Sequence, residues 1–519
     1  MPGAASAVRS STMSLFAASF LSRFRFEAGE AGSGFRLSRW LFLRLLGCVY
    51  LAAFLSLWVQ IHGLIGSRGI SPVGNFLAAE HQAYGARAFL LVPTLCWFDS
   101  SDAYLSWLCG GGTVLAALLI IGVAPVPVLF LLWSCYLSLT VAGQQFLGYQ
   151  WDTLLLETGF LAIFLAPLKL WPRLAQEAES SRVVLWLFRW LLFRLMFASG
   201  AVKLMSGDPN WRNLTALQYH YETQPLPPWT AWYMHQLPGW FQQCSVLATF
   251  AGELILPMFA FLPRPLRHLG CAGLIAFQLL ILATGNYGFF NLLSIALCVL
   301  LLDDAFYPSR LSARLALTKP PGVPAQKPPW REWLLSPLAA AIVGMSLVPF
   351  VAKVIDPRSW PNFVLETYFI ASRFESVNTH GLFAVMTTER DEILVEGSDD
   401  GQTWQAYEFK WKPGDLKRRP AFMAPHMPRL DWQMWFASLG TFEQNPWFGR
   451  FLLRLLEGSP DVLGLLEHNP FPKRPPRYVR ASFYRYHFTN FAERRESDAW
   501  WRREARGLYC PALSLQRLD

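Results

Sequence analysis

Asp152 and Glu157 stand at the start of one apolar segment, Arg189 and Arg194 stand inside the next, and Glu253 lies within a later one. Ionisable groups at membrane depth are costly and are usually paired or functional. Pairing Asp152 or Glu157 with Arg194 would neutralise both, so these five residues are read as intramembrane ion-pair candidates. The alternative is a substrate or proton site around a midplane pocket. His220, Glu222 and His235 occupy a polar stretch between apolar segments. They carry acid–base and ligand chemistry, but their spacing matches no metal pattern. They are read as capping groups or a contact surface, with no metal and no catalytic role. Ser206 and Ser245 have no His partner or Gly-rich elbow nearby, so a serine hydrolase is not supported. No phosphate-binding loop or dinucleotide fingerprint is present, and no cofactor is expected.

The elements that must position these residues follow from composition. Of 519 residues 53% are hydrophobic and only 16% charged, and the mean hydropathy is +0.26. Apolar residues fall in blocks of membrane-span length. The candidate spans are Trp40–Ile61, Tyr104–Val123, Val126–Ala142, Trp151–Leu168, Val183–Ala201, Ser245–Leu262, Leu266–Ala283, Tyr287–Leu302 and Leu334–Val354. The fold class expected is a multi-pass α-helical membrane protein of about nine spans, with a C-terminal exoplasmic β-rich α+β domain. The run Ala88–Phe98 is too short to cross and is expected at the interface. Asp152, Thr153, Glu157 and Thr158 make the first half of Trp151–Leu168 polar, so it either crosses or re-enters.

A basic N-terminus over residues 1–39, a helical region over 40–354 and a soluble β-rich domain over 355–519 divide the chain. Lys319–Trp330 is a Pro-rich spacer. With the N-terminus cytoplasmic, cytoplasmic segments hold Arg9, Arg23, Arg25, Arg36, Arg39, Lys169, Arg173, Arg182, Arg264, Arg267, Arg310, Arg314, Lys319, Lys327 and Arg331. The exoplasmic loops hold only Arg68, Arg87, Lys203 and Arg212. This asymmetry places the loop 203–244 and everything after Val354 on the exoplasmic side. The net charge of +9 is explained by these flanks, and no nucleic-acid partner is expected. Asn213-Leu214-Thr215 is a sequon on that side, so Asn213 is a glycosylation candidate in a eukaryotic secretory pathway.

Lys203–Pro238 is polar, aromatic and rich in Pro, and is too long for a tight connection. Trp211, Tyr219, Tyr221, Trp229, Trp232 and Tyr233 give it too much to bury for disorder. Asp208-Pro209 fits a helix start. Beyond Asp356, Glu392–Glu396 and Trp404–Trp411 read as strands joined by the turn at 397–401, and Phe383–Thr387 as a third. Asp431–Leu439, Pro446–Glu457 and Pro460–Leu466 read as helices, and Arg477–Thr489 as a half-buried strand. Cys48, Cys109, Cys135, Cys271 and Cys298 sit in apolar blocks as small hydrophobes. Cys96 and Cys244 lie near span ends and could pair; Cys510 stands alone.

The stretches YQWDTLLLETGF (149–160), FRLMFASGAVKLMSGDPNWRNLTALQYHYETQPLPPWTAWYMHQLP (193–238), GLFAVMTTERDEILVEGSDDGQTW (381–404), KPGDLKRRPAFMAPHMPRLDWQMW (412–435) and NPWFGRFLLRLLEGSPDVLGLLEHNPFP (445–472) closely resemble the lipase maturation factor family. The match runs in one order over roughly residues 35–510. In eukaryotes such proteins sit in the ER membrane and help certain dimeric secreted lipases, lipoprotein lipase being the best known, to fold and assemble. The resemblance implies a non-enzymatic membrane-bound folding factor with a secreted, lipase-like client and surrounding membrane lipid as partners. The alternative is a membrane enzyme or transporter using intramembrane carboxylates paired with arginine. Trp211, Tyr219, His220, Tyr221, Trp229, Trp232, His235, Trp404 and Trp432 are the client-contact candidates. The terminal LSLQRLD carries no retrieval signal. That suits a bacterial relative in a cytoplasmic membrane, whereas a eukaryotic chain would sit in the ER membrane with its C-terminal domain lumenal.

Overall fold

The computed structural model describes residues 34–174, 177–308, 329–351 and 360–515. The basic residues 1–33 and the linker residues 319–328 lie outside the described residues. The helices that frame the bundle and the loop are α1 (Arg36–Trp58), α2 (Asp102–Ile121), α3 (Pro125–Ala142), α4 (Gln150–Leu165), α5 (Arg182–Met205), α6 (Ala216–Thr223), α7 (Trp229–His235) and α8 (Gly239–Phe250), with a further helix, Val73–Tyr84, and shorter turns in the connections. α8 continues through a π-helical turn, Ala251–Ile255, and a 3-10 stretch, Leu256–Phe261. α9 (Arg264–Thr284), α10 (Phe290–Val299), α11 (Pro329–Val351) and α12 (Asn362–Arg373) follow.

In α1, Phe42, Leu46, Tyr50 and Phe54 recur every fourth residue and are fully buried. That spacing puts them on one helix face, which packs inward while Cys48 and Leu55 face out. Pro125 at the first turn of α3 and Ser101 capping α2 through the Tyr104 N–H set two of the helix starts.

The segments alternate between two ends. At one end the Asp304 N–H donates to Gly34 O at 2.7 Å and the Ala124 N–H to Leu170 O at 2.7 Å. Arg39 pairs with Glu177 at 2.5 Å and Arg267 with Asp303 at 3.1 Å in the same layer. At the other end the connections around residues 68, 149, 211 and 286 all bond the C-terminal domain. Ser459 Oγ donates to Arg68 O, Tyr149 OH to Gln433 Oε1, Trp211 Nε1 to Phe383 O, and Asn286 Nδ2 to Ala421 O. α10 ends on the first side and the C-terminal domain sits on the second. The chain must therefore return between them. Among the described residues α11 is the one long helix available for it, and it packs on α5 through a Trp190–Ser346 hydrogen bond of 2.9 Å.

Six helices are long and apolar enough to cross a membrane on their own: α1, α2, α3, α5, Gly239–Phe261 and α9. The sequence predicts about nine spans. The difference lies in α4 with 16 residues, α10 with 10, and the short apolar part of α11, Leu335–Val348. α4 buries most of its surface, polar Asp152 and Glu157 included, inside the bundle. Neighbouring helices rather than lipid surround it, so its length and hydropathy are not set by bilayer thickness. Ala88–Phe98 forms a helical turn at Ala88–Leu91 and a 3-10 turn at Leu95–Trp97.

The C-terminal domain contains β1 (Arg390–Ser398), β2 (Gln405–Ala406), β3 (Glu408–Phe409), α13 (Arg429–Ser438), α14 (Pro446–Leu456), β4 (Leu466–His468), β5 (Tyr478–Phe488), α15 (Phe491–Ser497) and β6 (Trp501–Leu513). An antiparallel sheet has the order β2-β1-β5-β6, and β3 pairs with β4 separately. β1 and β5 run in register from Arg390↔Tyr486 to Ser398↔Tyr478. The expected strand Trp404–Trp411 is split: Gln405–Ala406 pairs with β1, whereas Glu408–Phe409 leaves that sheet and pairs with β4. Phe383–Thr387 is not a strand; it lies against the segment after α5, where Phe383 O accepts from Trp211 Nε1 and the Met386 N–H donates to Asp208. All eight cysteines are free, and Cys96 is buried beside Ser138 while Cys244 is exposed on α8, so the two do not pair.

Candidate functional site at the junction of the two halves

The charged residues singled out in the sequence sit where the helical region meets the C-terminal domain. Glu157 of α4 forms a buried ion pair with Arg194 of α5. Arg194 also donates to Asn378 O at 3.0 Å, while the Asn378 N–H and His380 Nε2 approach the second Glu157 oxygen at 3.1 and 3.3 Å. The stretch after α12 is thus threaded into the groove between α4 and α5. It then follows α5 outward: Gly381 lies against Ala198 and Val202, and the Met386 N–H reaches Asp208 at 2.6 Å.

Asp152 does not share Arg194. Its carboxylate takes a fork of two bonds from Arg429 at the start of α13, at 2.5 and 2.7 Å, and a third from Tyr136 OH at 2.5 Å. A buried guanidinium and a buried carboxylate are stable only when paired, and the planar fork joins them through two parallel bonds. Next to this pair the Arg429 N–H donates to Gln60 Oε1 and Gln60 Nε2 to Met427 O, at 2.9 and 2.8 Å. Glu253, carried inward by the π-helical turn, pairs with Lys203 at 2.7 Å. The guanidinium of Arg189 lies over the Phe35 ring at 5.6 Å.

The aromatic loop is not a free flap. Asp208 caps a short helical turn with Pro209 at its first position, then α6 and α7 follow. Trp211, Tyr221 and Trp232 are buried, packed with Leu394, Tyr486, Phe488, Trp500 and Trp501 of the C-terminal domain. Trp432 is buried too, edge-on to Trp151 at 4.7 Å. These four contact candidates therefore face the protein's own interior. Tyr219, His220, Trp229, His235 and Trp404 are partly exposed, and Asn213 is exposed.

Arg390, which sequence reasoning missed, ties the loop down. Its guanidinium donates to the carbonyls of Glu222, Gln224 and Pro225 at 2.9, 2.5 and 2.9 Å, closing the C-terminal end of α6. Glu392 neutralises it at 2.6 Å and Lys412 joins at 2.8 Å. Glu222 accepts from His487 Nδ1 at 3.1 Å and from the Phe488 N–H at 2.7 Å. Burial pushes the Glu222 carboxyl up, but these bonds outweigh it and hold it below its ordinary value. The same hydrogen bond raises His487. Burial, with the Lys203 ammonium, pushes His220 down to about 4, so it is neutral where it meets Tyr287 OH at 3.0 Å. Among the described residues no group of three or more His, Cys, Asp and Glu is placed to hold a metal ion.

The geometry defines an integral membrane protein: a bundle of apolar helices whose one end is clamped by a C-terminal β-containing domain. The chain belongs to the lipase maturation factor family. The family's transmembrane-domain model matches residues 37–309 and its C-terminal-domain model residues 376–511. The chain is 38% identical to lipase maturation factor 2 of Xenopus laevis, over 92% of this chain and 83% of that one. It is 37% identical to human lipase maturation factor 1, over 93% and 89% respectively. Human lipase maturation factor 2 is 36% identical over 93% and 83%. No solved structure matches.

Proposed function

We propose that the chain is a non-enzymatic folding factor for secreted lipases, and that its client meets the end of the bundle where loop and C-terminal domain join. That end lies opposite the basic flanks, so it is the non-cytosolic one: the ER lumen in a eukaryote, the periplasm in a bacterium. One observation carries the contact surface. Tyr233 of α7 and Phe491 of α15 are 44% and 51% exposed. Their rings stand 6.5 Å apart over buried Trp232, which meets Phe491 edge-on at 5.0 Å. Half-buried Trp229 continues the patch, with Arg419 over its ring at 4.6 Å. Exposed aromatic side chains on a rigid base suit transient cover of a client's apolar surface.

The test is co-expression of a secreted lipase with the Tyr233→Ala/Phe491→Ala double variant. Active lipase should fall as expected for loss of an interface anchor worth about 2 kcal/mol or more. Amount and membrane insertion of the variant should stay normal. Unchanged lipase yield would remove this patch as the contact surface. The carboxylates read alternatively as a transport or catalytic site are each taken up by a structural arginine or lysine, which favours the folding role.

A further inference from the structure

A cavity of about 240 Å³ lies between α5, α8 and α9, roofed by the aromatic loop and by Leu382 and Phe383. We propose that it holds one acyl chain of a membrane lipid, entering sideways between α8 and α9. Its inner wall is Leu195, Met196, Phe277 and Phe290. An apolar cavity of ~150 Å³ already takes up benzene, so this one has room for a run of methylenes.

The opening follows from how the helices cross. α9 packs closely on the 3-10 stretch Leu256–Phe261 and diverges from α8 toward the other end. The gap is edged on α8 by Ser245, Ala248 and Thr249 and on α9 by Leu280, which is 64% exposed. The hydroxyls at the mouth bond their own helices: Ser245 to Phe241 O, Thr249 to Ser245 O, Thr284 to Leu280 O, each at 2.9 Å. What remains at the mouth is methyl and methylene surface within two spans, where the abundant apolar species is lipid hydrocarbon.

The charged and amide groups of the wall are also spent. Lys203 gives its three donors to both Glu253 oxygens and Ser199 O at 2.7, 2.9 and 3.2 Å. His220 is bonded to Tyr287, and Gln278 accepts from Asn291 at 2.8 Å. A sugar, nucleotide or ion would find few free partners there, whereas a hydrocarbon chain needs none. Unfilled, the lining would lose its dispersion contacts. The π-helical turn Ala251–Ile255, a form common at functional sites, carries Glu253 to Lys203. Because Trp211, Leu217, Tyr221 and Phe383 are both wall and roof, a bound chain supports the loop from beneath.

The experiment uses the full-length protein in nanodiscs carrying a phosphatidylcholine with a diazirine in its acyl chain, and in parallel a diazirine fatty acid. Crosslinked peptides are mapped by mass spectrometry. Label on Leu217 or Tyr221, buried residues of the lining, is expected from the phospholipid. Label there from the fatty acid alone would overturn the lipid source. Ala248→Trp, which fills the mouth from an exposed position, should lower inner labelling about tenfold. Leu269→Trp, on the lipid-facing side of α9, should leave it unchanged. Label confined to outward residues, or equal inner labelling in Ala248→Trp, would overturn the proposal.

Discussion

Asp152 and Arg429 are 277 positions apart in sequence and form the pair on which the docking of the C-terminal domain turns. Removing one partner of such a buried pair leaves the other charge uncompensated, at a cost of about 3–5 kcal/mol. Arg429→Ala or Asp152→Ala should therefore make the C-terminal domain protease-sensitive in detergent-solubilised protein. The double change Asp152→Leu/Arg429→Met should recover most of the resistance; full resistance in either single variant would contradict the clamp. Sequence reasoning matched Arg194 with Asp152 or Glu157 because depth in adjacent apolar segments is legible. It could not see that an arginine from a soluble domain would reach the carboxylate nearer the helix end. The Glu222–His487 contact makes a second prediction, about pH. His487 is raised from 6.5, so its contribution is complete below that value and is lost as pH rises through the folded one. Glu222 is lowered from 4.5, so its contribution holds above that value and is lost as pH falls through the folded one. His235, Arg502 and Glu504 face the same pair. The melting temperature of His487→Gln should lack the decline that the wild type shows above about pH 6.5.

The stretch 203–238 shows what a hydrophobic inventory can and cannot say about an element. Its aromatics correctly argue for order, since that much apolar surface must be covered. Which side covers it depends on partners more than 150 residues away, such as Phe383 for Trp211, 172 positions on. Deleting the loop would gut the C-terminal core, so point substitutions are the informative ones. Trp232→Ala should cost about 3–5 kcal/mol and lower the melting temperature of the purified protein, whereas neighbouring, exposed Tyr233→Ala should leave it within about 0.5 kcal/mol. A small effect at Trp232 would show that the loop is not core. β5 was legible because its alternation is that of a half-buried strand. β6 was not, because Arg502, Arg503, Glu504 and Arg506 cover an exposed edge, where charge guards against pairing with other chains.

Across the whole molecule, the alternation of helices between a basic end and a domain-bearing end agrees with the Lys and Arg distribution read from sequence. Six of the nine segments expected from the sequence are long and apolar enough to cross on their own, and α4, α10 and α11 run between the same two ends as shorter helices, because a helix enclosed by other helices need not look like a membrane span. The proposed client contact places the aromatic loop and the C-terminal domain together on the non-cytosolic side. The most direct test fuses alkaline phosphatase or green fluorescent protein after residue 519 of the intact chain in a bacterial host. Active phosphatase with dark fluorescent protein is expected. Bright fluorescence with inactive phosphatase would put the clamp, and with it the client surface, in the cytosol, and would contradict the proposed function.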